Sequence, residues 1–254
     1  MEGTKQNSRT VLITGATSGI GYEFAKIFHR EGYNLVLTGR DKEVLKKLDK
    51  ELGSVSIALD LSKSGSVSEL YEFTKKKNLD VEILVNNAGF GSFGEFIAQD
   101  NADAMVQVNI ASLTTLTQLY GRDMAKKGHG KILNIASVAA YFPGPYASVY
   151  YASKAYVLSF SEGLREELKK KGVQVCVLCP GATKTKFFVR AGINNSRLEM
   201  MGTMDAAKVA EIGYSGLMKD KGVIIPGFTN FVFVGLARHM PRFVLRKLMA
   251  SLQK

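Results

Sequence analysis

The chain has only two cysteines in 254 residues, Cys176 and Cys179, in the run QVCVLCP. Their spacing matches a CxxC redox or metal pair, but on a strand positions three apart face opposite sides. No second Cys/His pair lies nearby to complete a metal site. The two therefore read as buried core thiols, which suits a reducing compartment and a cytoplasmic location. Long apolar runs are missing as well. The longest strongly apolar one, Phe231–Ala237, falls far short of the roughly 20 residues that span a bilayer. The first, Val11–Ile13, is too short for a signal peptide and runs straight into a glycine loop. Repeats, linkers and biased segments are absent, so residues 1–254 read as a single domain. Acidic residues are missing from one end. From Arg238 onward there are five Lys/Arg and no Asp/Glu, within a net charge of +11. That tail suits an acidic surface, a phosphate-bearing substrate or an anionic membrane, and so peripheral membrane contact. Elsewhere the cations are dispersed, with no basic stripe of the kind that binds nucleic acid.

What is present is an alternation. Seven short, apolar, β-branched runs read as strands: Arg9–Thr14, Asn34–Thr38, Val55–Leu59, Glu82–Val85, Lys131–Ala136, Val173–Leu178 and Val223–Ile225. Apolar on both faces, they suit parallel strands buried on both sides. Helical spacing marks Ile20–Arg30, Lys42–Leu52, Gln99–Lys127 and Val149–Lys171; three lysines and Gly172 close the last. Alternating β and α units predict an α/β fold: a Rossmann-like, doubly wound parallel sheet of about seven strands with helices on both faces. Lys184–Met204 is rich in Phe, Met and Asn and reads as a flap or helix pair over a site. The stretch from Thr229 to the C-terminus reads as an amphipathic helical extension broken at Pro241.

The first strand enters Thr14-Gly15-Ala16-Thr17-Ser18-Gly19-Ile20-Gly21. A strand, a glycine loop and a helix in that order bring backbone N–H groups and a positive helix end to one point, an anion site suited to a pyrophosphate. The second strand ends at Gly39-Arg40. No acid stands there to hold a ribose 2′-hydroxyl, and an arginine fork fits a 2′-phosphate, which favours NADP(H). The alternative is a solvated surface charge. Asp60, beside Leu61, follows the third strand and can accept from the adenine amino group, or else cap a helix starting near Lys63. Asn86-Asn87-Ala88-Gly89 follows the fourth, as a turn that leaves room for the adenosine side or only stabilises the sheet.

Tyr150 and Lys154 lie four apart at the start of a long helix, on one face. Bringing a phenol from its ordinary pKa to about 7 needs about 4 kcal/mol, which a nearby ammonium and a positive nicotinamide would help to supply. Such a tyrosine gives a proton to a ketone oxygen, or takes one back. Ser137, 13 residues earlier and just past the fifth strand, can polarise the same oxygen. Asn109 is placed to hold a water that relays protons to Lys154. Around this centre the expected mouth is apolar: Phe90, Phe93, Tyr141, Phe142, Tyr146, Phe187 and Phe188.

Together TGATSGIG, NNAG, Asn109, Ser137, YxxxK and PG, from about Thr10 to Pro226, resemble the short-chain dehydrogenase/reductase family. The resemblance implies Asn109, Ser137, Tyr150 and Lys154 as a catalytic tetrad, with Lys154 also on the nicotinamide ribose. It implies Pro180, Gly181, Thr183 and Thr185 at the carboxamide end, although valine is the family's usual residue where Thr183 stands. It also implies a homodimer or homotetramer through the two long helices. The expected activity is NADPH-dependent hydride transfer to a small-molecule ketone, or from a secondary alcohol. The apolar mouth suits a lipid-, acyl- or steroid-like substrate. The rival expectation is an idle NADPH-binding regulatory protein on the same fold.

Overall fold

A computed structural model describes residues 9–185, 187 and 203–252. Its central sheet is built from strands too apolar to face water. β1 (Thr10–Thr14) is buried at all five positions. β2 (Asn34–Gly39), β3 (Val55–Ala58), β4 (Val81–Asn86), β5 (Gly130–Ile135), β6 (Val173–Leu178) and the short Val223–Ile224 strand complete a seven-stranded sheet. The spatial order is β3, β2, β1, β4, β5, β6, then Val223–Ile224, and every pairing is parallel. The winding reverses between β1 and β4, so a crevice opens at the carboxyl ends of those two strands. Two further two-residue strands, β7 (Thr183–Lys184) and β8 (Met204–Asp205), pair beside it; Val223–Ile224 is thus β9.

Helices cover both faces. α1 (Gly19–Arg30) and α2 (Lys42–Leu52) pack Phe24, Phe28, Leu45 and Leu48 against one face. α2 begins where the Asp41 carboxylate accepts from the Glu43 and Val44 N–H groups, and it stops at Gly53, whose φ is 62°. On the other face lie α3 (Ser66–Lys76) and a long broken helix: α4 (Ala102–Val106), a π-helical segment Gln107–Ser112, and α5 (Leu113–Lys127). α6 (Ser148–Lys169) packs beside them. α7 (Ala206–Met218) returns to the first face. α8 (Phe228–His239) and α9 (Arg242–Leu252) flank Pro241, the break expected from the sequence.

Three details differ from the expectations. α3 and α7 are helices that the sequence pattern left unassigned. The long helix expected over Gln99–Lys127 starts at Ala102 and changes register at Gln107–Ser112. The flap expected over Lys184–Met204 lies mostly outside the described residues. Cys176 and Cys179 are free, fully buried, and belong to core clusters on opposite sides of the sheet. Burial pushes both thiols up, to about 11 and about 12.

Gly172 carries the chain from α6 into β6 with φ at 73°. A Cβ there would stand 1.9 Å from the Gly128 carbonyl oxygen, a backbone atom that cannot swing aside. Gly172→Ala is expected to destabilise the chain by at least about 2 kcal/mol, adding steric overlap to the left-handed penalty; urea denaturation would measure the loss.

Candidate active site

The crevice between β1 and β4 is held by a clasp. The Thr14 hydroxyl accepts from the Asn87 N–H at 3.0 Å and the Ala88 N–H at 2.9 Å. The Asn87 amide donates to the Thr14 and Gly15 carbonyls at 3.0 and 3.1 Å. These bonds tie the glycine loop to the tip of β4. Gly15 has φ 66°, and a Cβ there would meet the Ala88 backbone at 2.9 Å. At Gly21 a Cβ would meet the Asn87 amide at 2.3 Å. Thus Asn87 holds the loop through its side chain, and the glycines give it room. Of the two readings of the Asn-Asn-Ala-Gly turn, the geometry supports both: it braces the sheet edge, and it lines the crevice.

A cavity of about 620 Å³ occupies this edge. Gly15, Thr17, Ser18, Gly19, Ile20, Arg40, Asp60, Leu61, Asn87, Ala88 and Gly89 line one end. Ser137, Tyr150, Lys154, Pro180, Gly181, Thr183 and Thr185 line the rest. Of the residues expected at the site, Gly21 and Asn109 do not reach the cavity surface. Gly21 is buried behind the loop, and Asn109 is buried next to Lys154. Asp60 does not cap a helix. Its carboxylate accepts from the N–H and hydroxyl of Ser62, while Gly65 stands at the N-terminus of α3. Burial works to raise the Asp60 pKa, but those two bonds, with Arg40 and Lys63 nearby, hold it below the ordinary carboxylate value.

The features of the loop fit a dinucleotide. Its backbone N–H groups lie at the start of α1, whose first turn holds no acid. Arg40 and Asp60 stand at the far end of the cavity, where an adenosine ribose and base would reach.

At the other end Lys154 is buried, and its ammonium donates to the Ile135 carbonyl at 2.8 Å. It stands 5.8 Å from the centre of the Tyr150 ring. Desolvation lowers its pKa to about 8. Burial pushes the Tyr150 phenol up to about 12, and hydrogen bonding from Ser137 works the other way. The lowered phenol pKa expected from the sequence is therefore not what the protein alone produces. The walls penalise phenolate, and the ammonium that would favour it is itself desolvated and bonded to a carbonyl. The group presented to the cavity is a neutral, protonated phenol. Ser137, at the start of a 3₁₀ turn over Val138–Tyr141, accepts from the Ala139 N–H at 3.1 Å and donates to the Pro180 carbonyl at 3.3 Å.

Asn109 falls within the π-helical segment, a register change often found at functional sites. Its side chain is already engaged. Oδ1 accepts from the Phe90 N–H, while Nδ2 donates to the Phe90 carbonyl and to Ser153 Oγ, all within 3.0 Å. The expected water therefore has little of the amide left to bind. Asn109 instead clamps the chain after Gly89 onto α6, beside Lys154.

Phe90, Phe93, Phe142 and Phe187 line the cavity as expected. Tyr141 and Tyr146 do not; Tyr141 lies beneath the Arg238 guanidinium, 5.1 Å away. Phe188 lies outside the described residues. The sequence reading missed the wall given by Thr229, Asn230 and Phe233 of α8 and Met249 of α9. Phe233 stacks on Phe142 at 4.8 Å. The run Phe231–Ala237 of α8, apolar but for Gly235, was the available signal, since a helix with two apolar faces has two surfaces to cover.

Residues 9–195 match the profile of the short chain dehydrogenase family. The chain belongs to that family. It is an oxidoreductase acting on CH–OH groups. Serine 3-dehydrogenase of Agrobacterium fabrum is 37% identical over 193 residues, covering 74% of this chain and 77% of its own. A short-chain dehydrogenase from Sphingobium yanoikuyae, solved in complex with NADPH, superimposes with a TM-score of 0.79 at 32% identity, over 92% of this chain and 97% of its own. The alcohol dehydrogenase from Comamonas testosteroni described as specific for bulky-bulky ketones gives 0.75 at 30% identity, over 93% and 96%.

Asn109→Ala would strip partners from the Phe90 N–H and carbonyl and from Ser153. The expected cost is about 2–4 kcal/mol of stability, because buried polar groups lose bonds that no water replaces. Chemical denaturation of the purified variant tests it.

Proposed function

We propose that the chain is an NADPH-dependent carbonyl reductase and alcohol dehydrogenase, acting on ketones or secondary alcohols with apolar substituents. One observation carries this reading: a protonated phenol and a buried ammonium share a face of α6 at the sheet's carboxyl edge, within an aromatic-walled cavity. A bound nicotinamide supplies or accepts the hydride at the carbonyl carbon. Tyr150 Oη gives its proton to the carbonyl oxygen in reduction and recovers one from the alcohol in oxidation. The Ser137 hydroxyl donates to the same oxygen and limits where it sits. Lys154 stabilises the phenolate left behind and holds the ribose hydroxyls. Asn109 is a positioning residue, fixing the Gly89–Phe90 backbone against α6. Gly15, Thr17, Ser18, Gly19 and Ile20 take the pyrophosphate, with Gly21 packed behind them against Asn87; Asp60, Leu61, Asn87, Ala88 and Gly89 take the adenosine side; Pro180, Gly181, Thr183 and Thr185 take the carboxamide. Arg40 follows β2, whose last residue is Gly39 rather than an acid, and its guanidinium favours a 2′-phosphate.

Among the described residues lining the cavity, the charged ones are Arg40, Asp60 and Lys154, all claimed by the dinucleotide end or the phenol. A zwitterionic amino acid such as serine would leave its ammonium and carboxylate without counter-charges. An apolar ketone meets Phe93, Val138, Phe142, Phe187 and Phe233 instead. A homodimer or homotetramer through α5 and α6 fits the half-open stack of Tyr156 on Phe160, 5.6 Å apart.

Two measurements test the reading. Tyr150→Phe should lower ketone-dependent NADPH oxidation by about 10²- to 10⁴-fold while leaving dinucleotide affinity within about twofold; full activity in this variant would remove Tyr150 from the chemistry. Arg40→Ala should lower kcat/KM for NADPH about 10- to 100-fold and for NADH by less than about threefold, as expected for lost charge-assisted bonds to a phosphate. Equal losses would overturn the cofactor preference. NADPH binding without turnover of any ketone would favour the regulatory alternative.

A further inference from the structure

α8 and α9 have two apolar faces, and only one is covered. Inward, Val234, Ala237, Leu245 and Met249 join a core cluster with Phe142 and Tyr151. Outward, Phe228 is 82% exposed, Phe231 62%, Leu236 62% and Phe243 61%, with Val232, Val244 and Leu248 also exposed. On α8 these outward residues fall at i, i+3, i+4 and i+8, a single stripe. Isolated exposed apolar residues are ordinary, but a contiguous aromatic stripe on the surface marks a contact site.

The charge around the stripe identifies its occupant. Arg238, Arg242, Arg246 and Lys247 are all exposed. The last acid in the sequence is Asp220, and it is already paired with Arg165 at 2.6 Å. From Lys221 to the end the chain has six cations and no acid. A two-fold contact with a second copy would lay this face on itself and bring like charges together. Phenylalanine and leucine flanked by arginine and lysine, on helices too short to cross a bilayer, are the chemistry of an interfacial helix on anionic lipid.

We propose that the outer face of α8 and α9 docks the protein on an anionic lipid surface. The aromatic stripe enters the headgroup region, and the arginines and lysine meet lipid phosphates. The same two helices wall the cavity through Thr229, Asn230, Phe233 and Met249, so docking brings the cavity within about one helix diameter of the lipid. The docking itself does not depend on the hydride-transfer reading.

The test is sedimentation of the full chain with vesicles, which needs no turnover. Binding to vesicles of mixed phosphatidylglycerol and phosphatidylcholine should exceed binding to phosphatidylcholine alone by at least about tenfold, and should weaken in high salt. The pair Arg242→Glu with Arg246→Glu should reduce it by at least about tenfold, at about fivefold or more per cation. The pair Phe231→Ser with Phe243→Ser should reduce it similarly, and unchanged melting temperatures would show that both variants fold. Absence of vesicle binding, or equal binding by the charge-reversed pair, overturns the proposal. Self-association that Phe231→Ser abolishes, without vesicle binding, assigns the face to a second copy instead.

Discussion

The Thr14 hydroxyl accepts two backbone N–H bonds at the point where the chain's two windings part, and most of the cavity's shape follows from it. β1 and β4 pair in parallel, but their helices leave to opposite faces. Nothing in the sheet ladder itself fixes the loops beyond their ends. Thr14 and the Asn87 amide supply that fix with four bonds of about 3 Å. The start of the glycine loop is thus braced by the protein's own bonds.

Around Tyr150 and Lys154 two effects compete, and their sizes decide the resting state. Burial moves both groups toward their neutral forms, pushing the phenol up to about 12 and the ammonium down to about 8. The mutual attraction of ammonium and phenolate does not overcome this, since the ammonium is itself desolvated and bonded to the Ile135 carbonyl. A neutral phenol at the cavity is the form that donates a proton. In the proposed reaction, reduction would start from the protonation state that the protein already holds, while oxidation would need added positive charge to favour the phenolate.

The parts of this arrangement that were legible in the sequence are those set by local chain geometry. The glycine loop after β1, the Tyr150–Lys154 spacing on α6 and Arg40 at the end of β2 require only a strand, a turn or one helical turn to be placed. The strand limits came within a residue for the same reason: each run is apolar on both faces and ends at a turn. What was not legible depends on the distance between elements. The Asn109 amide was free in the sequence and is used up in the fold, because Phe90 and Ser153 arrive from β4's loop and from α6. Tyr141 was expected at the mouth and turned to Arg238, since α8 covers it. α3 and α7 escaped because much of the face they bury is polar or small, Ser66 and Thr74 on one and Ala206, Ala210, Gly213 and Gly216 on the other, so it carries little hydrophobic signal.

The wall from α8 and α9 connects substrate choice to surface chemistry. Phe233 and Met249 face the cavity while Phe231 and Leu248 face outward, from the same two helices. A substitution that made the outer face polar would leave the aromatic stack of Phe142 on Phe233 in place. A substitution at Phe233 would open the cavity without touching the outer stripe. The inward and outward faces of one helix pair can therefore change separately, although Phe231 and Phe233 are two residues apart and Leu248 and Met249 are adjacent. Family members that share the clasp and the phenol–ammonium pair need not share either wall, and substrate preference is carried by elements outside the part of the fold that the family's motifs describe.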